Sequence, residues 1–228
     1  EGAELHAARD LSRDQSYFLF ATTQAQLDYL RFPLGDMEKS AVRALAAELS
    51  LATAEKPDSQ DICFVPEGRY TSIVEKLRPD ATRPGEIVDQ SGAVLGRHDG
   101  IFRFTVGQRK GLGLSGKEEP LFVLKLDAAR AQVVVGPRSA LAARSIELDN
   151  MNWLVRADAP FDCAVKVRSM RPPVAARVTP LAGNRARVDL AIAEDAVAPG
   201  QACVFYKDGR VLGGGWIRQA EAARTAAE

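Results

Sequence analysis

The sequence predicts an α+β fold, mainly β, and three observations carry that expectation. Apolar residues recur at helical spacing only before about residue 51. From about residue 84 the apolar period drops to two. Turn dipeptides then punctuate the remaining chain at close intervals, as in a β domain of short strands.

Ser12-Arg13-Asp14-Gln15 has the S-x-x-Q form of a capping box, and the apolar run from Tyr17 to Leu30 reads as one helix ending near Phe32-Pro33. Asp36 is placed to cap a second helix, in which Val42, Leu45, Ala46 and Leu49 share one face. The pattern breaks after Leu51, and Lys56-Pro57-Asp58-Ser59 leads to Cys63. Gly85 to Asp89, Gln90-Ser91-Gly92 and Ala93 to Gly96 read as a hairpin, and Phe122 to Leu126 with Val133 to Val135 as another. A further β region runs from about Ser145 to Ile217, with a turn at Leu181 to Asn184 and a hairpin at Lys207-Asp208-Gly209. Strands this short and close fit a small barrel or a sandwich. The tail after Gln219 is expected to be frayed or helical.

Composition narrows the function classes. No run of about eighteen apolar residues occurs and no signal peptide pattern opens the chain, so a membrane role is not expected. Three scattered cysteines without a C-x-x-C pair, and only two histidines, argue against a disulfide scaffold or a metal site and point to the reducing cytosol. The first residue is Glu, and the chain is expected to be the later part of a longer protein. Thirty basic residues balance thirty acidic ones, yet residues 97–117 carry five cations against Asp99 alone. Residues 151–218 hold eight Arg and two Lys against six acids. Arginine suits forked phosphate contacts, although such clusters are also ordinary solvated faces.

Gly111-Leu-Gly-Leu-Ser-Gly116 satisfies G-x-G-x-x-G, but Pro120 and a strand follow where a dinucleotide site needs a helix. The glycine-rich segment instead reads either as a mobile loop whose backbone, with Arg109 and Lys110, suits a phosphate chain, or as a plain surface loop. Cys163 and Cys203 sit on alternating apolar stripes and are expected to be inert core thiols. Cys63, in D-S-Q-D-I-C-F-V, lies between a polar turn and a hydrophobic step, either as an accessible thiol or as a domain-boundary residue. Its acidic neighbours disfavour the thiolate. His6 and His98 are isolated and read as structural or surface groups.

The blocks S-R-D-Q-S-Y-F-L, F-P-L-G-D-M-E-K, V-R-A-L-A, K-P-D-S-Q-D-I-C-F, P-G-E-I-V-D, G-R-H-D-G, F-T-V-G-Q-R-K-G-L-G, P-G-Q-A-C-V-F-Y and L-G-G-G-W-I together resemble the bacterial tRNA-specific 2-thiouridylase family. They occur in the family's order over nearly the whole chain. Older descriptions call the family a methyltransferase, but no methyl-donor motif is present. The resemblance implies a helical remnant of the catalytic, ATP-pyrophosphatase-type domain over 1–67, a small central β domain over 68–140, a C-terminal antiparallel β-barrel over 141–220 and a tail over 221–228.

It also implies the chemistry. ATP, with Mg2+, activates C2 of a wobble uridine, a cysteine persulfide delivers sulfur, and in one version a disulfide forms with a second cysteine. Cys63 matches the persulfide cysteine. Arg13, Asp14 and Gln15 match tRNA contacts, with Lys more usual at Arg13. Arg168 and Ser169 match a tRNA-contacting dipeptide in which the second residue is more often aromatic, and Gln201 matches a further contact. The S-G-G-x-D-S loop and the second catalytic cysteine have no counterpart in this sequence, so ATP binding is expected to lie outside it. The implied partners are tRNA with a wobble uridine and a sulfur-relay or cysteine desulfurase protein. The competing expectation is a non-catalytic tRNA-binding module; a thiol redox protein is poorer, for want of a nearby resolving cysteine. The early helices are expected to expose apolar faces and be unstable alone.

Overall fold

The computed structural model describes residues 2–56, 82–114, 119–195 and 197–222. They fall into two compact units. One comprises Glu1–Pro57, Ala143–Ala193 and Ala198–Glu228, and the other Asp58–Ala142 with Glu194–Val197.

In the second unit, strands β1 (Gly85–Val88), β2 (Val94–His98), β3 (Phe122–Asp127) and β4 (Gln132–Gly136) form a sheet in the order β2-β1-β4-β3. Both expected hairpins are present as antiparallel pairs, and β1 runs parallel to β4. Asp89 builds the first turn: one carboxylate oxygen accepts from the amides of Ser91 at 2.9 Å and Ala93 at 3.0 Å and from the Ser91 hydroxyl at 2.6 Å. Ile87, Val123, Val133 and Val135 form the core, closed by Phe104 and Leu112. His98 is buried beside it. Its Nδ1 accepts from the Gly100 amide at 3.0 Å and Nε2 faces the Ala131 carbonyl at 3.2 Å, which puts the ring proton on Nε2.

The first unit is built on a closed antiparallel barrel. Its strands are β5 (Ala142–Trp153), β6 (Phe161–Lys166), β7 (Val174–Leu181), β8 (Arg185–Asp195), β9 (Ala202–Lys207) and β10 (Arg210–Ala222), in the order β10-β5-β8-β7-β6-β9. The mainly β expectation holds, and of barrel and sandwich the barrel is found. Ile146, Leu148, Val165, Val178, Val188 and Phe205 are among its fully buried side chains. Asp208 and Gly209, both at positive φ (52° and 80°), make the two-residue turn that joins β9 to β10. Residues 219–222, expected to be frayed or helical, continue β10 and pair with β5.

The N-terminal segment departs from expectation. The single helix from Tyr17 to Leu30 is two short helices, α1 (Ser16–Leu19) and α2 (Gln24–Tyr29), followed by α3 (Lys39–Glu48). The capping box belongs to Thr23 and Gln26 at the start of α2, not to Ser12 and Gln15. Nor does Asp36 cap α3, whose N-cap is Glu38. The helix breaks because the Asn152 side chain takes the carbonyls of Phe20 at 2.7 Å and Thr22 at 3.0 Å, groups a continuous helix would spend on its own amides.

These helices lie against the barrel. Leu5, Tyr17, Phe20 and Leu27 are buried with Ala202, Val204, Tyr206 and Val211. Residues on the outer face of β9 therefore pack against the segment while Cys203 and Phe205 fill the barrel, so all five residues from 202 to 206 are buried. Ahead of α1 the chain is held at the β9–β10 turn by Ala7 N–H to Gly209 O and Val211 N–H to Leu5 O, both at 2.8 Å. The expected exposure of apolar helix faces is met in part: Phe18 on α1, Tyr29 on α2 and Leu45 on α3 are open, as are Phe32, Leu34 and Leu49 between and after the helices.

Gly214 lies between the β9 backbone and the Phe20 ring. A Cβ there would lie 2.7 Å from both the Cys203 carbonyl oxygen and Phe20 Cδ2. We expect Gly214→Ala to lower unfolding stability by about 1–3 kcal/mol in denaturant titrations, the range for overpacking a filled site. A second expectation concerns His98, whose pKa burial holds below the ordinary 6.5. The unfolded imidazole takes up a proton near that value while the folded one resists, so its stabilisation is complete above it and is lost as pH falls. The protection factor of the Val133 amide, corrected for the intrinsic pH dependence of exchange, should therefore fall as pH drops below about 6.5, with a smaller fall in His98→Asn.

Candidate nucleic-acid interface

The loop of residues 7–16 is organised by two aspartates that fold back onto the backbone, as short acidic side chains readily do. Asp10 accepts from Ser12 N at 3.1 Å, Ser12 Oγ at 2.6 Å and Lys39 N at 3.1 Å. The Ser12 hydroxyl first, then the Lys39 amide, holds its carboxyl below the usual range. Asp14 Oδ1 accepts from Ala8 N at 3.1 Å and Ser16 N at 3.0 Å, and Oδ2 accepts from Ser16 Oγ at 2.8 Å. Arg13 and Gln15 flank this latch and are exposed.

Two hydrogen bonds seat α1 on β9. Ser16 Oγ lies 3.1 Å from the Tyr206 hydroxyl, and the Tyr17 hydroxyl donates to Ala202 O at 2.9 Å. Burial chiefly raises both phenols to about 12. Arg168 acts in the opposite sense on Tyr17, which sets its charge within electrostatic reach of α1. Lys166 Nζ stands 6.0 Å from the Tyr206 ring centroid. Gln201 immediately precedes β9. Its carbonyl accepts from Ile217 N at 2.7 Å, and its side-chain oxygen is buried with no hydrogen-bond partner among the described residues. Arg13 to Gln15, Arg168 and Gln201 thus all border the pins between α1 and β9; Ser169 follows Arg168 and is partly exposed.

The basic excess over 151–218 is not one surface. Arg177 pairs with Asp162 at 3.0 Å, Arg187 with Asp189 at 2.9 Å, and Arg156 with Asp158. The stretch from Lys166 to Arg171 differs, holding three cations and no acid.

Arg109 and Lys110 belong to the second unit and are exposed. Their loop, expected to be mobile, is anchored over residues 105–114. Gln108 accepts from Thr105 N at 3.0 Å and donates to Lys110 O at 2.9 Å, while Leu112 enters the core. Sequence reasoning missed Gln108, Ser16 and Tyr206 as organisers. Ser16 and Tyr206 lie within blocks quoted for the resemblance, and nothing local marks Gln108.

Cys63 lies outside the described residues. Cys163 is partly buried, its thiol raised to about 12 by burial and then by Asp162. Cys203 is buried and also raised, chiefly by burial. Among the described residues no group of three or more His, Cys, Asp or Glu is placed to hold a metal ion. Among the described residues no helix is long and apolar enough to cross a membrane.

Three family models match in succession. They are a tRNA methyl transferase HUP domain over residues 1–67, a tRNA methyl transferase PRC-barrel domain over 72–137 and an aminomethyltransferase beta-barrel domain over 143–217. Among curated relatives, the tRNA-specific 2-thiouridylase MnmA of Methylobacterium radiotolerans is 59% identical over 97% of this chain and 59% of its own length. Those of Ruegeria pomeroyi and Parvibaculum lavamentivorans are 57% and 58% identical, over 95% and 96% of the chain and 60% and 58% of their own lengths. The chain therefore spans about three fifths of these relatives.

Burial makes the barrel thiols unreactive. In the folded chain near pH 8, iodoacetamide should leave Cys163 and Cys203 unlabelled; labelling of Cys203 as fast as in denaturant would contradict this assignment.

Proposed function

The chain belongs to the tRNA-specific 2-thiouridylase family, and from that membership we propose that it serves the 2-thiolation of a wobble uridine in tRNA. Cys63, carrying a persulfide supplied by a cysteine desulfurase or sulfur-relay protein, would attack C2 with its outer sulfur, the C2 oxygen leaving with the AMP that activates it, and a second cysteine thiol would then release the thiolated base by forming a disulfide with Cys63. Arg13, Gln15, Arg168, Ser169 and Gln201 hold the RNA in the first unit. Arg109 and Lys110 add phosphate contacts from the second. The reaction is cytoplasmic.

The observation that carries this reading is the seating of α1 on β9, which gathers the RNA-matching positions from both ends of the sequence into one unit. Cations on 166–171 supply the sequence-independent attraction to phosphates that underlies salt-dependent RNA binding. ATP does not fit the described residues. The S-G-G-x-D-S loop does not occur in the sequence, and the anchored glycine loop precedes a strand rather than a helix.

The test is the mobility of wobble-uridine tRNA in a mercury-containing gel after incubation with ATP and a sulfur donor. The protein is the chain extended to the full length of its relatives. Retardation that disappears in Cys63→Ser is expected. Equal retardation by both proteins would overturn the role of Cys63 and leave a tRNA-binding module.

A further inference from the structure

We propose that Tyr206 is a positioning residue for the RNA-binding loop, acting through Ser16 on Asp14, and that Asp14 serves the loop rather than the RNA. This rests on the tRNA-binding reading given above. A carboxylate inside an RNA-facing tripeptide is an electrostatic liability, since a phosphate brought near it is repelled. Here both of its oxygens are turned to donors of the protein itself, two amides on Oδ1 and the Ser16 hydroxyl on Oδ2. Three of its roughly four acceptor positions go to shaping residues 8–16, which sets Arg13 and Gln15 outward.

The direction of the chain of hydrogen bonds follows from proton count. Ser16 has one hydroxyl proton, and it goes to the Asp14 carboxylate. The 3.1 Å contact with Tyr206 is therefore a donation from the phenol to Ser16 Oγ. Tyr206 is 6% exposed, too buried to touch an RNA strand. Its raised pKa keeps the phenol protonated, hence a donor, at any pH at which tRNA is handled. The Tyr17 pin to Ala202 is separate, so losing the Tyr206 hydroxyl frees the loop without undocking α1.

Tyr206→Phe keeps the volume and removes only the donor. Using the 228-residue chain, we expect about threefold to tenfold weaker tRNA binding, the range for one hydrogen bond. The slope of log K against log salt should not change, because no phosphate contact is lost. In an Arg13→Ala background the further loss should shrink below about twofold, since both changes act through one loop. Asp14→Asn, which can keep the acceptor at Oδ1, should bind better than Asp14→Ala. Wild-type affinity in Tyr206→Phe, or full additivity with Arg13→Ala, would overturn the proposal. Amide exchange at Ala8 and Ser16 reads the same linkage without RNA. Exchange about fivefold faster or more in Tyr206→Phe is expected, and no change overturns the linkage. If the wild-type chain does not bind tRNA, the functional reading fails, and the linkage is decided by exchange alone.

Discussion

The outer face of β9 is covered by the N-terminal segment, and the rest of the first unit depends on that cover. Along residues 202–206 there is no polar side, because the barrel interior takes Cys203 and Phe205 while Leu5, Tyr17, Phe20 and Leu27 take the opposite face. A strand in a small barrel ordinarily turns alternate residues to water. Here both faces are apolar, and exposing the outer one would uncover Ala202, Val204 and Tyr206 together. The close approach also dictates glycine at 214, where any side chain would meet the β9 backbone and the Phe20 ring.

The same contact gives the candidate interface its rigidity. Loop residues 8–16 have few apolar side chains to hold them, and polar groups do the holding. Asp10 ties the loop to the start of α3, and Asp14 ties it to Ser16 and so to the barrel. In the second unit Gln108 plays a comparable part, closing residues 105–110 with one acceptor and one donor. In both units the exposed cations sit on a backbone shaped by neutral or acidic side chains that face inward.

What was legible in the sequence follows the range of the forces involved. The hairpins at 85–98, 122–136 and 202–222 were readable because alternation and turn chemistry are local, and Asp208-Gly209 states its own turn. The inert character of Cys203 was readable for the same reason. The helix from 17 to 30 was misread because two segments, Ser12 to Gln15 and Thr23 to Gln26, carry the same capping pattern, and the choice is made by Asn152 from a distant strand. The candidate RNA positions came from resemblance to a family, whereas the residues that orient them, Ser16 and Tyr206, act through a contact no sequence window spans. Cys63, the centre of the chemical reading, lies outside the described residues, so its surroundings add nothing to the account.

The separation along the chain between the partners of the central contact bears on how the protein is made. Tyr17 and Ala202 are 185 residues apart. At a synthesis rate of about 5–20 residues per second, the early segment waits roughly 10–40 s before its acceptor strand leaves the ribosome. During that interval Leu5, Tyr17, Phe20 and Leu27 have no β9 to cover. Translation pauses and holdase chaperones acting on the nascent chain therefore bear on this segment, which is made well before the strand that it covers.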